Sequence, residues 1–268
     1  MFVVPVFANI AEEDMPKVAE RNFRSKLRKW NIAAVVIQSI SFIALLILSV
    51  VFRDKARLVN LWVETDRGSS IQTLAAYPLY STLLPFPIIT ALFHVLALCK
   101  VDNYYANVLL RGTNRLRWIE YSITNGLMTF SLCTLAGAGG VVLLVGNILA
   151  NFLMQYFGYL HEKLTHDTEP SKRTLSYIGF GFLPWLQNWV TILTYYGLNV
   201  VDTKVSEHLA ILGSFLLSLL FVYPLLAIYG REHNMRNFFV LERTYIILSL
   251  TAKLYLDWII VIGTVANF

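Results

Sequence analysis

Residues 242–265 read ERTYIILSLTAKLYLDWIIVIGTV, and two of these letters decide how the rest of the chain is read. Lys253 lies about ten residues into an apolar run long enough to cross a hydrocarbon core, which takes about 20 residues as a helix. An ammonium at that depth cannot snorkel to either interface. It needs a counter-charge, the loss of its proton or a covalent partner such as a Schiff base. Asp257 follows four residues later, on nearly the same helix face and one turn further along. Its roles stay open: a second counter-charge, a proton-path group, or a carboxylate wetted by the far interface.

Outward from this run, six more stretches have the length and apolarity of membrane helices. The expected spans are 31–52, 82–99, 118–136, 139–160, 177–196, 209–229 and 243–265. Of the 268 residues, 56% are hydrophobic and 15% charged, well below the roughly 25% charged of soluble domains. Seven spans leave no room for an added soluble domain. The expectation is an all-α membrane protein, a seven-transmembrane-helix bundle over 1–268 as one domain. Pro85, Pro87, Pro184 and Pro224 predict local kinks rather than breaks. Cys99 and Cys133 lie at or within apolar runs, which excludes a disulfide framework.

Residues 1–30 do not read as a cleavable signal, because the apolar 2–8 is short and Glu12, Glu13 and Asp14 follow it. They are expected as a basic segment on the cytoplasmic side. Arg21, Arg24, Lys26, Arg28 and Lys29 precede the first span, where they suit an anchor at an anionic leaflet better than a nucleic-acid patch. Of the 22 Lys and Arg, sixteen fall on the amino-terminal side of the spans, five on the other, and Lys253 within the last. The positive-inside rule then sets the N-terminus in the cytoplasm and the C-terminus outside.

Residues 53–81 form a loop too long to be structureless on a compact bundle. RLVNLWVET at 57–65 and the apolar 71–77 flank the turn-like DRGSS at 66–70, which predicts a β-hairpin in the first extracellular loop. Packing across a partner subunit and folding as a lid over its own bundle are both open to it.

Glu120, in RWIEYS at 117–122, is the expected partner of Lys253, since the third and seventh spans enter from the same side. Meeting at one depth requires the third helix to begin well before Trp118, near Thr113. The alternative leaves Glu120 at the interface, neutralised by Arg117 or Arg115. Glu242 is read as structural, an acid placed at a helix N-terminus. Among five histidines only His94 lies well inside a span, too few for an intramembrane zinc centre. His161 and His166, beside Glu162 and Asp167, read as a solvated loop. No phosphate-binding glycine loop, Cys-x-x-Cys or Gly-x-Ser-x-Gly is present, so hydrolase or kinase chemistry has no support and the chain is not read as an enzyme. Trp185, Trp189, Tyr195 and Tyr196 on the fifth span suit either the wall of a planar ligand or an interfacial belt.

RWIEYS at 117–122, ERTYI at 242–246 and SLTAK at 249–253 resemble the heliorhodopsin family, as do the weaker stretches LRKWNI at 27–32, 102–112 and 184–196. The resemblance spans all seven helices and implies a bundle of rhodopsin type. It implies all-trans retinal on Lys253 as a protonated Schiff base, Glu120 as counterion, Ser249 hydrogen-bonding nearby, and His94 in a polar network. It also implies a homodimer in which the hairpin embraces the neighbour. Two positions depart from the family: Gln38 stands where a first-helix histidine is frequent, and Asp257 where a small apolar residue is expected before Trp258.

The resemblance implies a light-sensing photoreceptor with a slow photocycle that signals to a partner. Two rivals accompany it. One is a light-driven or light-gated proton or ion transporter using Glu120, Asp257 and the wet surroundings of Lys253, with Asp257 and Gln38 as the possible proton path. The other is a chromophore-free structural or regulatory membrane protein.

Overall fold

Helix α1 (Met15–Val51) joins the basic segment to the first span without interruption over 37 residues. Its buried positions are Leu27, Asn31, Ala34, Gln38, Ser41 and Leu45, spaced alternately four and three apart. That spacing makes one stripe along a helix, and it faces the helices of the second and seventh spans. Ile40 and Ile47, on the opposite side, are 62% and 57% exposed. Polar residues inside and aliphatic ones outside invert the soluble pattern, as a lipid solvent demands.

The computed structural model describes residues 15–55, 58–65, 70–99, 113–167, 172, 174–230 and 235–266, with side chains from residue 25 onward except 166–167, 228–230 and 235–238. After α1 come strands β1 (Leu58–Thr65) and β2 (Ser70–Pro78), then helices α2 (Pro85–Cys99), α3 (Arg115–Leu135), α4 (Val141–Asp167) and α5 (Ser176–Leu198). The sixth span is divided into α6 (Val205–Leu220) and α7 (Val222–Gly230), and α8 (Met235–Ala266) is the seventh. Helix α1 packs on α2 and α8, α2 on α3, α3 on α4 and α5, α4 on α5 and α7, and α6 on α8.

Five of these spans are long and apolar enough to cross a membrane on their own: 25–51, 79–99, 141–165, 205–227 and 239–266. The protein is an integral membrane protein. Helix α3 falls short in apolarity because it stands inside the bundle, with twelve of its 21 residues buried, where neighbours rather than lipid set its composition. It begins at Arg115, as the meeting of Glu120 with Lys253 requires.

Pro85 and Pro87 sit in the first turn of α2, where the missing N–H costs nothing, and Pro184 lies inside an unbroken α5. Pro224 differs from expectation. The helix is interrupted at Phe221, three residues before it, because a proline there leaves the Leu220 carbonyl without its donor.

The hairpin is present. β1 and β2 pair antiparallel from Leu58 opposite Pro78 to Thr65 opposite Ser70, with an irregularity between Leu61 and Trp62. At that irregularity the Trp62 N–H donates to the Gly139 carbonyl in the α3–α4 turn at 3.1 Å. The indole lies over Gly139 and Gly140; a Cβ on Gly139 would collide with the Asn60 carbonyl. Tyr77 stacks on Phe130 of α3 with ring centroids 6.1 Å apart. The hairpin is thereby seated on its own bundle, while Ile71 and Leu74 of β2 stay exposed.

The interior has two halves. Toward the hairpin, Leu45, Leu83, Phe86, Leu132, Leu256 and Ile260 form one apolar core. Toward the start of α3, Asn31, Asn114, Arg117, Glu120, Glu162 and Glu242 are buried among smaller apolar clusters. Lys253 lies at the boundary.

Candidate functional site

Lys253 is 1% exposed and its ammonium forms an ion pair with Glu120, itself 5% exposed. Thr90 of α2 completes the pair. Its hydroxyl accepts from Lys253 Nζ at 2.9 Å and donates to Glu120 Oε1 at 3.1 Å. Thr124, one turn after Glu120, places its hydroxyl 3.4 Å from the same oxygen and donates to the Glu120 carbonyl at 3.0 Å. The Tyr121 ring lies 5.6 Å from the ammonium, close enough for a cation–π contact. Three helices therefore hold one buried opposite-charge pair with its hydrogen bonds supplied, which is the condition for such a pair to persist in low dielectric.

Arg117 does not neutralise Glu120. It pairs with Glu162 of α4 and Glu242 of α8, and its guanidinium lies 3.9 Å from the Tyr245 ring centroid. Asn114 Nδ2 donates to Glu242 Oε2 at 2.8 Å, and Trp118 Nε1 to Glu162 Oε2 at 2.6 Å. Gly158 lets the Trp118 ring reach that carboxylate, the indole passing 2.5 Å from where a Cβ would stand. The reading of His161 and Glu162 as a solvated loop is overturned. Both are buried because α4 continues to Asp167 and α7 packs over it, and His161 Nε2 lies 3.1 Å from the Leu225 carbonyl. His166 and Asp167 fall outside the described side chains.

Between the Lys253 pair and this cluster is a small polar cavity of about 40 Å³, with room for two or three waters. Asn31, His94, Arg117, Glu120, Glu242 and Ser249 line it. His94 Nδ1 lies 2.7 Å from Asn31 Oδ1, so the α2 histidine is tied to α1. The Ser249 hydroxyl has no protein partner.

A second, larger cavity of about 180 Å³ begins against Tyr121, Tyr245 and Ala252, beside Lys253, and runs between α5 and α6. Trp185 and Trp189 are on its wall. Trp185 stacks on Phe182 and Phe215 at 4.8 and 5.9 Å, and Trp189 meets Phe215 edge-on at 5.1 Å. These two indoles face the cavity.

Asp257 and Gln38 are both fully buried, and neither carboxylate oxygen of Asp257 nor either amide atom of Gln38 has a hydrogen-bond partner. Beyond Asp257 toward the hairpin lie the apolar Ile260 and Val261. On α1, Ser41 accepts from Trp258 Nε1 at 3.2 Å. Among the described residues no cluster of His, Cys, Asp and Glu is arranged to hold a metal ion.

Thr90 and the Arg117 cluster were not foreseen. The charges of Glu162 and Glu242 were visible, but a threonine in an apolar run carries no signal of its role. The motif stretch 102–112 lies outside the described residues.

The family described as Heliorhodopsin matches residues 27–265. No curated protein matches this sequence. Among solved structures, the chain is similar to the transmembrane domain of Salpingoeca rosetta rhodopsin phosphodiesterase, with a TM-score of 0.61 and 16% identity, over 97% of this chain and 90% of that one. At that identity the likeness shows a shared fold.

Proposed function

Because the chain belongs to the heliorhodopsin family, a branch of the retinal-binding rhodopsins, we propose that it is a photoreceptor whose chromophore, all-trans retinal, is held on Lys253. The residues present fit that group. Lys253 is the lysine buried within a span, its neighbours Tyr121 and Ala252 open onto the larger cavity, and that cavity has the aromatic walls a flat polyene needs. The observation that carries the reading is the buried Lys253–Glu120 pair, whose neighbours Tyr121 and Ala252 line this cavity. When bound as a protonated Schiff base, retinal supplies visible absorption and light-driven isomerisation.

The chain's own residues do the rest. Glu120 stabilises positive charge on the Lys253 nitrogen, and Thr90 fixes the carboxylate through one hydrogen bond. His94, Asn31 and Ser249 line the adjoining space, where water can carry a proton away from Glu120. Arg117, locked between Glu162 and Glu242, lines that space at the far side. With the apolar core on the other side, a proton that moves within this space can return to its origin, which suits a slow cycle that signals rather than pumps.

The charge asymmetry supports a cytoplasmic N-terminus, and the exposed apolar Ile71 and Leu74 support a homodimer formed about the hairpin. The test is addition of all-trans retinal to the purified protein. A visible band that hydroxylamine bleaches under light supports the photoreceptor; absence of any band overturns it in favour of a chromophore-free membrane protein.

One observation favours a second reading. Asp257 is an unpartnered carboxyl group one turn from Lys253, on the side away from Glu120's cavity. Such a group can exchange a proton with the Lys253 nitrogen, making the protein a light-driven or light-gated proton transporter. Voltage-clamp recording under light decides it. A proton-dependent photocurrent that Asp257→Asn removes, with the visible band retained, establishes transport; no current over a wide voltage range dismisses it.

A further inference from the structure

The wall between α5 and α6 treats its polar side chains unequally. Register across this wall is set by three pairs: Trp185 Nε1 donates to Ser218 Oγ at 3.2 Å, Trp189 packs edge-on against Phe215, and Tyr196 Oη lies 2.5 Å from His208 Nδ1. In this antiparallel register Asn188 of α5 and Ser214 of α6 stand at nearly the same depth. Both line the larger cavity, and they are 5% and 6% exposed. Ser218, one turn away, is fully engaged, donating to the Phe215 carbonyl while it accepts from Trp185. Asn188 Oδ1 and Ser214 Oγ have no partner at all.

Two orphaned polar atoms on facing helices are a costly arrangement for a cavity whose occupant is a hydrocarbon. A buried polar group left unpaired forfeits its hydration with no return. An unsubstituted retinal offers neither a donor nor an acceptor anywhere along its chain or ring except at the aldehyde, which Lys253 consumes. We propose that the cavity is built for a retinal bearing a hydroxyl group on its ring, with Asn188 and Ser214 as the residues that recognise it. This rests on the assignment of a retinal chromophore to Lys253.

A hydroxyl is the group that suits both partners at once. It donates to Asn188 Oδ1 and accepts from the Ser214 hydroxyl, and it serves equally if the amide is turned end for end. A keto group only accepts, and pairs with both side chains only when the amide is turned to present Nδ2. Depth agrees with this placement. Gly213, next to Ser214, is the residue against which Tyr255 of α8 packs, two positions beyond Lys253. The recognition pair is thus level with the attachment point and across the bundle from it, where the distal end of a rod-like ligand comes to rest. Sites that hydrogen-bond a hydroxyl discriminate strongly against the analogue that lacks one.

The test is competition for the chromophore-free full chain between equal amounts of all-trans retinal and all-trans 3-hydroxyretinal, with bound retinoids extracted and quantified by chromatography. Enrichment of the hydroxylated form by about tenfold or more is expected. In Asn188→Leu with Ser214→Ala the bound ratio should fall to near one. Equal uptake of both retinoids by the wild type, the result expected if a water satisfies the two side chains, overturns the proposal. So does a preference unchanged in the double variant. Failure of either retinoid to give a band is a distinct outcome: it overturns the assignment of retinal to Lys253, and this inference with it. The wild-type competition requires no variant to fold.

Discussion

Lys253 and Asp257 share one face of α8 a single turn apart, yet the lysine ammonium turns away from Asp257 and pairs with Glu120 of α3. The choice follows from what each carboxylate brings. Glu120 comes with Thr90 and Thr124 already bonded to it, whereas Asp257 sits where the apolar core begins and no donor is at hand. Charge is stabilised where hydrogen bonds to it are preassembled.

Replacing Lys253 with Ala removes the visible band expected with retinal, since no other lysine among the described residues is buried within a span. It also strands the Glu120 carboxylate without its counter-charge, at a cost of about 3–5 kcal/mol. Lys253→Ala combined with Glu120→Gln should recover much of that stability and still lack the band. Absorption spectra and thermal unfolding of the two variants separate attachment from folding.

Glu120→Gln keeps the shape of the side chain and deletes the charge that favours a cationic nitrogen on Lys253. At neutral pH the visible band should give way, wholly or in part, to a near-ultraviolet one that acidification reverses. A band unmoved by the substitution at neutral pH would make Asp257 the principal counter-charge.

Thr90→Val is isosteric and cannot hydrogen-bond. It removes both the hydroxyl that accepts from Lys253 and the one hydrogen bond that orients the Glu120 carboxylate from α2. A displaced absorption maximum is expected, with stability lowered by about 1–3 kcal/mol. Thr90→Ser should restore the maximum, and a spectrum identical to wild type in the valine variant would remove Thr90 from the site.

Arg117→Leu leaves Glu162 and Glu242 buried with no cation between them. Loss of about 3–5 kcal/mol is expected, read as a lower unfolding temperature in detergent. Adding Glu162→Gln and Glu242→Gln to the same chain should return most of it. A triple variant no more stable than the single one would show that Arg117 acts by packing on Tyr245.

Gly139→Ala pushes a methyl group into the Asn60 carbonyl and should lift β1 from the α3–α4 turn. Hydrogen exchange at Trp62, protected by its bond to the Gly139 carbonyl, should then rise. The bundle below should be unaffected, its helix content and chromophore band unchanged.

The chemistry of the site was more legible in the sequence than its supports. Lys253 and Glu120 stood out because a charge inside an apolar run has few explanations, and the hairpin because its alternation and turn residues are local signals. Thr90 was silent for the opposite reason: threonine is at ease in a membrane helix, and its role exists only where α2 meets α3 and α8. Glu162 was misread because the polar 161–167 looks like a loop until α7 covers it, a tertiary fact with no local trace. The division at Phe221 was missed because Pro224 alone does not distinguish a bend from a gap in the hydrogen-bond ladder.

The Arg117 closure has a consequence for isotope exchange. The guanidinium held by Glu162 and Glu242 bounds the space around Glu120 on one side, and the apolar core bounds it on the other. In heavy water, replacement of the proton on the Lys253 nitrogen should therefore quicken when Arg117 lets go. Vibrational spectra recorded against time in heavy water become a clock for that opening, and weakening either carboxylate partner should make the clock run faster.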